Sequence, residues 1–116
     1  MRPRVLFIIA SDPRVSPRAA EAIRIAAGIA PWQKADITVY LRDAAVLALG
    51  ESLDELLDEE NFTRYLPMVG EAGRPILVQR GAPLFPKFTA APLTFDAIDD
   101  RQLAALAAQS NCVLRF

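Results

Sequence analysis

The hydrophobic positions divide the chain into strand-length and helix-length segments in alternation. Arg4-Val-Leu-Phe-Ile-Ile-Ala10 is a continuous apolar run. Continuity rather than alternation predicts a strand covered on both faces, as in a parallel sheet. Ser11 to Val15 reads as a loop, and Ser16-Pro17 as the start of a helix, with serine as cap and proline in the first turn. Ala19, Ala20, Ile23, Ala26, Ala27 and Ala30 then recur at helical spacing, which turns small residues toward the sheet until Pro31 ends the helix. Ala35 to Leu41, rich in β-branched and aromatic residues, predicts a second strand.

The middle of the chain is less regular. Ala44 to Leu49 is apolar and fits either a short helix or an irregular segment before Gly50. Ser52 is placed to cap a short acidic helix over Leu53 to Asp58, and Asn61 to cap another over Phe62 to Glu71, with Pro67 inside it and Gly73 as its stop. Pro75 to Gln79 predicts a third strand, closed by Arg80-Gly81. Ala82 to Pro92 reads as a proline-rich loop, and Leu93 to Phe95 as a short fourth strand. Asp99 is positioned to cap a helix over Asp100 to Gln109, with Leu103, Leu106 and Ala107 inward, and Cys112 to Phe116 closes the chain as a fifth strand. This order predicts one α/β domain over residues 1–116, with three α/β/α layers and a five-stranded, mostly parallel sheet.

Composition narrows the chemistry. The chain has 116 residues, no histidine and one cysteine, Cys112. Histidine-based catalysis and histidine metal ligation are therefore unavailable from this chain, as are an intrachain disulfide and a Cys/His zinc site. Neither a catalytic residue nor a metal or cofactor site is expected. The net charge is −1, which gives no global drive toward nucleic acid or anionic lipid. The thirteen basic residues are mostly arginine, with Lys34 and Lys87 the exceptions, a composition that suits a GC-rich bacterial genome. The apolar run from Val5 to Ala10 is far short of the ~20 residues of a membrane span. Ser11-Asp12-Pro13 ends it too abruptly for a signal peptide, so the expected location is the cytoplasm.

In open parallel sheets ligands bind outside the carboxyl ends of the strands. That rule selects the loops Ser11 to Arg18, Arg42-Asp43 and Arg80 to Lys87, and as ligand-binding candidates Ser11, Asp12, Arg18, Arg42, Arg80 and Gly81. Ser11, Ser16 and free amides at the helix start, joined by Arg14 and Arg18, offer an anion site. The simpler account is a capped helix with arginines solvated or paired to Asp12 and Glu21. The loop carries no glycine pattern of the P-loop or dinucleotide kind. The acidic groups Asp58-Glu59-Glu60 and Asp96, Asp99, Asp100 read as solvated faces and caps. A phosphorylated receiver is discarded, because Asp12 stands alone and no lysine follows the later strands in the required place. Cys112, at the amino end of its strand, is expected to be a buried small hydrophobe.

Val5-Leu-Phe-Ile-Ile-Ala-Ser11, followed by Arg18-Ala-Ala-Glu-Ala-Ile-Arg-Ile-Ala26, resembles the opening of DsrE/DsrF-like proteins. Asp36-Ile-Thr-Val-Tyr-Leu41 with its apolar follow-on, Pro75 to Gln79, and the closing segment Asp100 to Phe116 are similar to that family as well. The resemblance implies the three-layer fold, homo-oligomers, and a setting in sulfur relay, where a carrier cysteine follows the third main strand. Here that place reads Gln79-Arg80-Gly81-Ala82-Pro83, without a thiol. The resulting expectation is a noncatalytic binding or oligomer-forming member. The alternatives are a sulfur carrier using Cys112 or a partner's cysteine, and a small anion or nucleotide binder at the first loop. Leu84 to Phe88 and Val46 to Leu49 are the apolar stretches that suggest an oligomer face, or else lids folded back on the sheet edge. Partners are expected to be copies of the chain and a small or anionic ligand, with no nucleic acid and no membrane.

Overall fold

A computed structural model describes residues 2–32, 34–71, 75–90 and 93–116. Its strands are β1 (Arg4–Ile9), β2 (Asp36–Leu41), β3 (Ile76–Gln79), β4 (Phe95–Ile98) and β5 (Cys112–Arg115), and its α-helices α1 (Arg18–Ile29), α2 (Glu59–Glu71) and α3 (Asp100–Ala108). The five strands form one sheet in the order β4-β3-β2-β1-β5, and every pairing is parallel. The expected α/β class and five-stranded parallel sheet are thus present. Among the described residues no helix is long and apolar enough to cross a membrane.

The two faces of the sheet are covered unequally. Phe7, Ile9, Ile37, Val39, Leu41, Ile76 and Val78 point to the face of α1 and α2 and form the larger core. Ala19, Ala20, Ala26 and Ala27 let α1 approach this face closely, and Ile23, Phe62 and Leu66 fill the space between. Among the described residues the opposite face carries only α3. Its core is Leu6, Tyr40 and Leu103, edged by half-buried Ile8, Leu77, Ile98 and Val113. Leu6 and Ile8 alternate with Phe7 and Ile9, so β1 is apolar from Val5 to Ile9 because it sits between helices on both sides.

β5 is clipped to β1 at both ends. Arg4 donates its backbone N–H to Asn111 Oδ1 at 2.7 Å, and the Asn111 N–H donates to the Arg4 carbonyl at 2.8 Å. At the other end the Phe116 N–H donates to Ile8 O, and the N–H groups of Ala10 and Ser11 donate to Phe116 O. The Phe116 ring stacks on Phe7 with centroids 5.7 Å apart.

Several elements differ from the sequence expectation. Ser16 does not cap as the residue before Pro17 at the first helical position: α1 starts at Arg18, although Ser16 Oγ still accepts the Arg18 N–H at 3.2 Å. Leu53 to Asp58 forms turns rather than a helix. Asp58 takes a positive φ of 54°, which breaks the chain just before α2 begins at Glu59, three residues earlier than expected. Asn61 is therefore inside the first turn, where its amide reaches the Ala20 carbonyl of α1 instead of capping. Pro67 lies within α2 without ending it. The Gly73 stop lies outside the described residues. β4 is Phe95–Ile98, shifted past Leu93-Thr94, because its pairing with Ile76 to Gln79 sets the register. Asp43–Leu49 is a 3-10 helix with Ala45, Val46, Ala48 and Leu49 buried, so this stretch is a lid on the core and no exposed face. The Leu84 to Phe88 loop divides: Phe85 turns in against Phe95, while Leu84 and Phe88 are exposed. Cys112 is exposed, contrary to its reading as a buried hydrophobe, since β5 is an edge strand paired on one side alone.

α3 carries a full capping box. The Gln102 N–H donates to Asp99 Oδ1 at 2.8 Å, and the Asp99 N–H donates to Gln102 Oε1 at 2.9 Å. Asp99→Ala should lower unfolding stability by about 1 kcal/mol. Urea denaturation followed by circular dichroism reads this, and an unchanged midpoint would contradict a working cap.

Candidate functional site

The chain runs β1, β2, β3, β4 in one direction across the sheet, and β5 then returns to the far side of β1. The order of strands reverses at β1, and the crevice outside the carboxyl ends of strands at such a reversal is the place where open α/β sheets hold ligands. A cleft of about 460 Å³ lies there. That volume falls within the range of small-molecule sites.

Each wall has a local origin. Ile8 lies in register with Tyr40 on one side and Arg115 on the other, which fixes the floor and one rim. The Arg42 N–H donates to the Ile9 carbonyl at 3.0 Å, so Arg42 continues the β2 ladder past its last residue and stands beside Ala10. Arg18, the first residue of α1, extends to the end of β5, with Nη2 3.4 Å from the Arg115 carbonyl. The fourth wall is α3, whose residues 100, 103, 104 and 107 face the cleft. These positions form one helical stripe, apolar except for Asp100.

The cleft thus joins three guanidinium groups, the Asp100 carboxylate, the main-chain end of Phe116 and an apolar body. Among the described residues neither Arg18 nor Arg115 has a carboxylate within ion-pair distance. Arg42 lies 3.5 Å from Asp43, with both side chains partly in water. Such an exposed pair is weak and readily exchanged for a ligand. Arginine forks suit carboxylate and phosphoryl oxygens. None of the lining side chains is a thiol, hydroxyl or imidazole nucleophile. No group of three or more metal-ligating side chains assembles among the described residues.

Of the residues proposed from sequence, Arg18 and Arg42 line this cleft, and Ser11, Asp12, Arg80 and Gly81 do not. The first loop has little donor capacity left. Ser11 gives its N–H to Phe116, the Val15 and Ser16 N–H groups go to the Asp12 carbonyl, and Ser16 Oγ accepts from Arg18. Asp12 is bound by Arg14 through both carboxylate oxygens, at 2.9 and 3.0 Å, which holds its pKa below the ordinary aspartate value. Arg80 turns toward β4, donating to the Ala97 carbonyl at 3.2 Å. Gly81 follows with φ +76°, a conformation that favours glycine and completes the turn after β3. Arg115, Asp100 and the α3 stripe were not among the candidates. The strand-end rule would have reached Arg115 had β5 been counted with the other strands. A second cavity of about 300 Å³, between Arg14 and the Asp54-Glu55 turn, is bordered by more acidic than basic groups.

Fold and cleft together define an open parallel α/β protein with an arginine-rimmed cleft at the reversal of strand order. The crystal structure of the YchN protein from E. coli is similar to it over 100% of both chains, with a TM-score of 0.76 and 16% sequence identity. At that identity the likeness is one of fold. No family model matches the chain, and no curated protein does.

Tyr40 lies beside this site, fully buried on the α3 face with Leu6 and Leu103. Among the described residues its buried hydroxyl has no hydrogen-bond partner. Burial raises its pKa above the ordinary value of 10.0, with Arg42 opposing and Asp100 and Asp43 reinforcing the shift. A partnerless buried hydroxyl costs stability, so Tyr40→Phe should stabilise the fold by about 1 kcal/mol at neutral pH. The sign at high pH follows from linkage. The folded protein holds the phenolic proton more tightly than the unfolded chain, so this contribution is present below pH 10 and is lost as pH rises beyond it. Urea midpoints of the wild type should therefore fall more steeply than those of Tyr40→Phe above pH 10. A destabilised variant with parallel pH curves would contradict the account.

Proposed function

We propose that this chain is a noncatalytic binding protein, a divergent relative of DsrE/DsrF-like proteins that has kept the fold and uses the cleft between β1, β2, β5 and α3 to hold a small anionic molecule. The observation that carries this reading is that Arg18, Arg42 and Arg115 line one largely apolar cleft, with the Asp100 carboxylate at the start of its helical wall. The fold likeness to YchN and the sequence resemblance support the family link. The lack of a thiol at Arg80-Gly81, where the family resemblance would place the sulfur carrier, supports binding over sulfur transfer. Self-association belongs to this reading, through exposed Leu84 and Phe88.

A small aromatic or aliphatic oxyanion at ten times its Kd should add about 1.4 kcal/mol to the unfolding free energy and raise Tm by several degrees. Arg42→Gln should remove most of that gain. A panel of benzoate, phenyl sulfate and phenyl phosphate in thermal denaturation is the test, with light scattering on the same samples to read subunit number. No shift with any of them refutes the binding role, and a strict monomer refutes the self-association.

A sulfur carrier working through Cys112 is the second reading, favoured by the exposure of that thiol. Cys112 opens β5 while Arg115 ends it, so the thiol stands at the other end of the sheet from the cleft. Incubation with a cysteine desulfurase and cysteine, followed by mass spectrometry, decides it. Cys112 is expected to gain no sulfur, and a stoichiometric persulfide there would overturn the noncatalytic reading.

A further inference from the structure

We infer that the buried hydroxyl of Tyr40 is a binding group of this cleft: it donates a hydrogen bond to the bound anion, beside Arg42, once the first turn of α3 has moved outward. This inference rests on the binding role proposed above and adds to it a recognition residue and a movable wall.

The place of Tyr40 follows from the strand register. It pairs with Ile8, on the floor of the cleft, and packs under Leu103, in the helical wall. Arg42 comes two residues later, on the same side of the sheet, and Asp100 comes one helical turn before Leu103. Both line the cleft. Tyr40 is therefore separated from the cleft by the side chains that form its walls. The charges that act on its hydroxyl are those of Arg42, Asp100 and Asp43, which follow the carboxyl ends of β2 and β4. The hydroxyl thus lies toward the edge of the sheet where the cleft opens.

A donor sealed in this place destabilises the closed form, since among the described residues it has no acceptor. An oxyanion held at Arg42 brings that acceptor, and a phenolic O–H bonded to an ionised oxygen is among the stronger hydrogen bonds. Tyr40 is fully buried, so the bond forms only when its cover moves. The hold of α3 on the sheet is light: Leu103 is its one buried side chain, with Leu106 and Ala107 half-buried. The capping box joins Asp99 to Gln102 within the helix, so the first turn swings out as a unit and keeps those bonds. The new hydrogen bond exists only in the displaced form, which is the differential affinity a ligand needs to shift the wall.

Tyrosine labelled with carbon-13 at Cζ gives two NMR signals from this chain, Tyr40 and Tyr65. Tyr65 belongs to α2 and packs on the other face of the sheet, so it serves as the control. Phenyl phosphate, phenyl sulfate and benzoate are titrated separately into the full chain, with isothermal titration calorimetry giving each Kd. For each probe that binds, the Tyr40 signal should move on saturation and the Tyr65 signal should stay. Tyr40→Phe should weaken that probe roughly tenfold, which is about 1.4 kcal/mol. The same variant should raise the urea midpoint of the free protein, a combination that a purely structural residue would not show. Tyr65→Phe should leave the affinity unchanged. A Tyr40 signal unmoved at saturation, or wild-type affinity in Tyr40→Phe, overturns the inference while the binding role stands. Binding of none of the three probes overturns both.

Discussion

The crossover from β4 through α3 to β5 determines the rest of this molecule. The first four strands step in one direction, with α1 and α2 packed on one face. A right-handed return across the sheet must then pass over the opposite face, and α3 is the segment that does so. Two consequences follow from that one connection. β5 lands beside β1, which creates the reversal of strand order and the cleft above it. The second face receives a helix of nine residues to cover five strands, so its core is small and its margin lies open. The clips at Asn111 and Phe116 hold β5 against β1 and keep the cleft's floor and rim in register.

The arginines acquire meaning from this topology. Arg14, Arg24 and Arg80 satisfy themselves locally, on Asp12, on Glu21 and on the Ala97 carbonyl. Among the described residues Arg18 and Arg115 have no carboxylate within ion-pair distance, and Arg42 has a weak partner in Asp43. A sheet end that gathers three arginines, beside an apolar stripe of α3, is suited to an amphipathic anion. The same topology separates Cys112 from this place by the length of a strand, so the thiol and this cleft do not cooperate in a single site.

Much of the fold was legible in the sequence because its signals are local. The apolar continuity of β1, the alanine stripe of α1, and the Asp99 cap of α3 each predict an element from a few neighbouring residues, and each element is present. The misreadings fall where local signals competed with tertiary ones. Asn61 looks like a cap but serves α1, the break before α2 comes from the positive φ of Asp58, and Val46, Ala48 and Leu49 are buried because they join the larger core. The site was half legible. Arg18 and Arg42 follow from the strand-end rule, whereas Asp100 and Arg115 join them through a strand order that no local pattern encodes. The amides of the first loop looked available because their acceptors, the Phe116 and Asp12 carbonyls, are set by tertiary and turn geometry.

The central claim is one of place: the ligand sits between β1, β2, β5 and α3. Nitrogen-15 NMR mapping of an added aryl phosphate measures place directly. The account predicts the largest shifts at the backbone of residues 100–107, at Ala10 and Phe116, and at the guanidinium signals of Arg18, Arg42 and Arg115. Shifts confined to Ser11 to Ser16 or to Arg80-Gly81, with α3 unmoved, would contradict it.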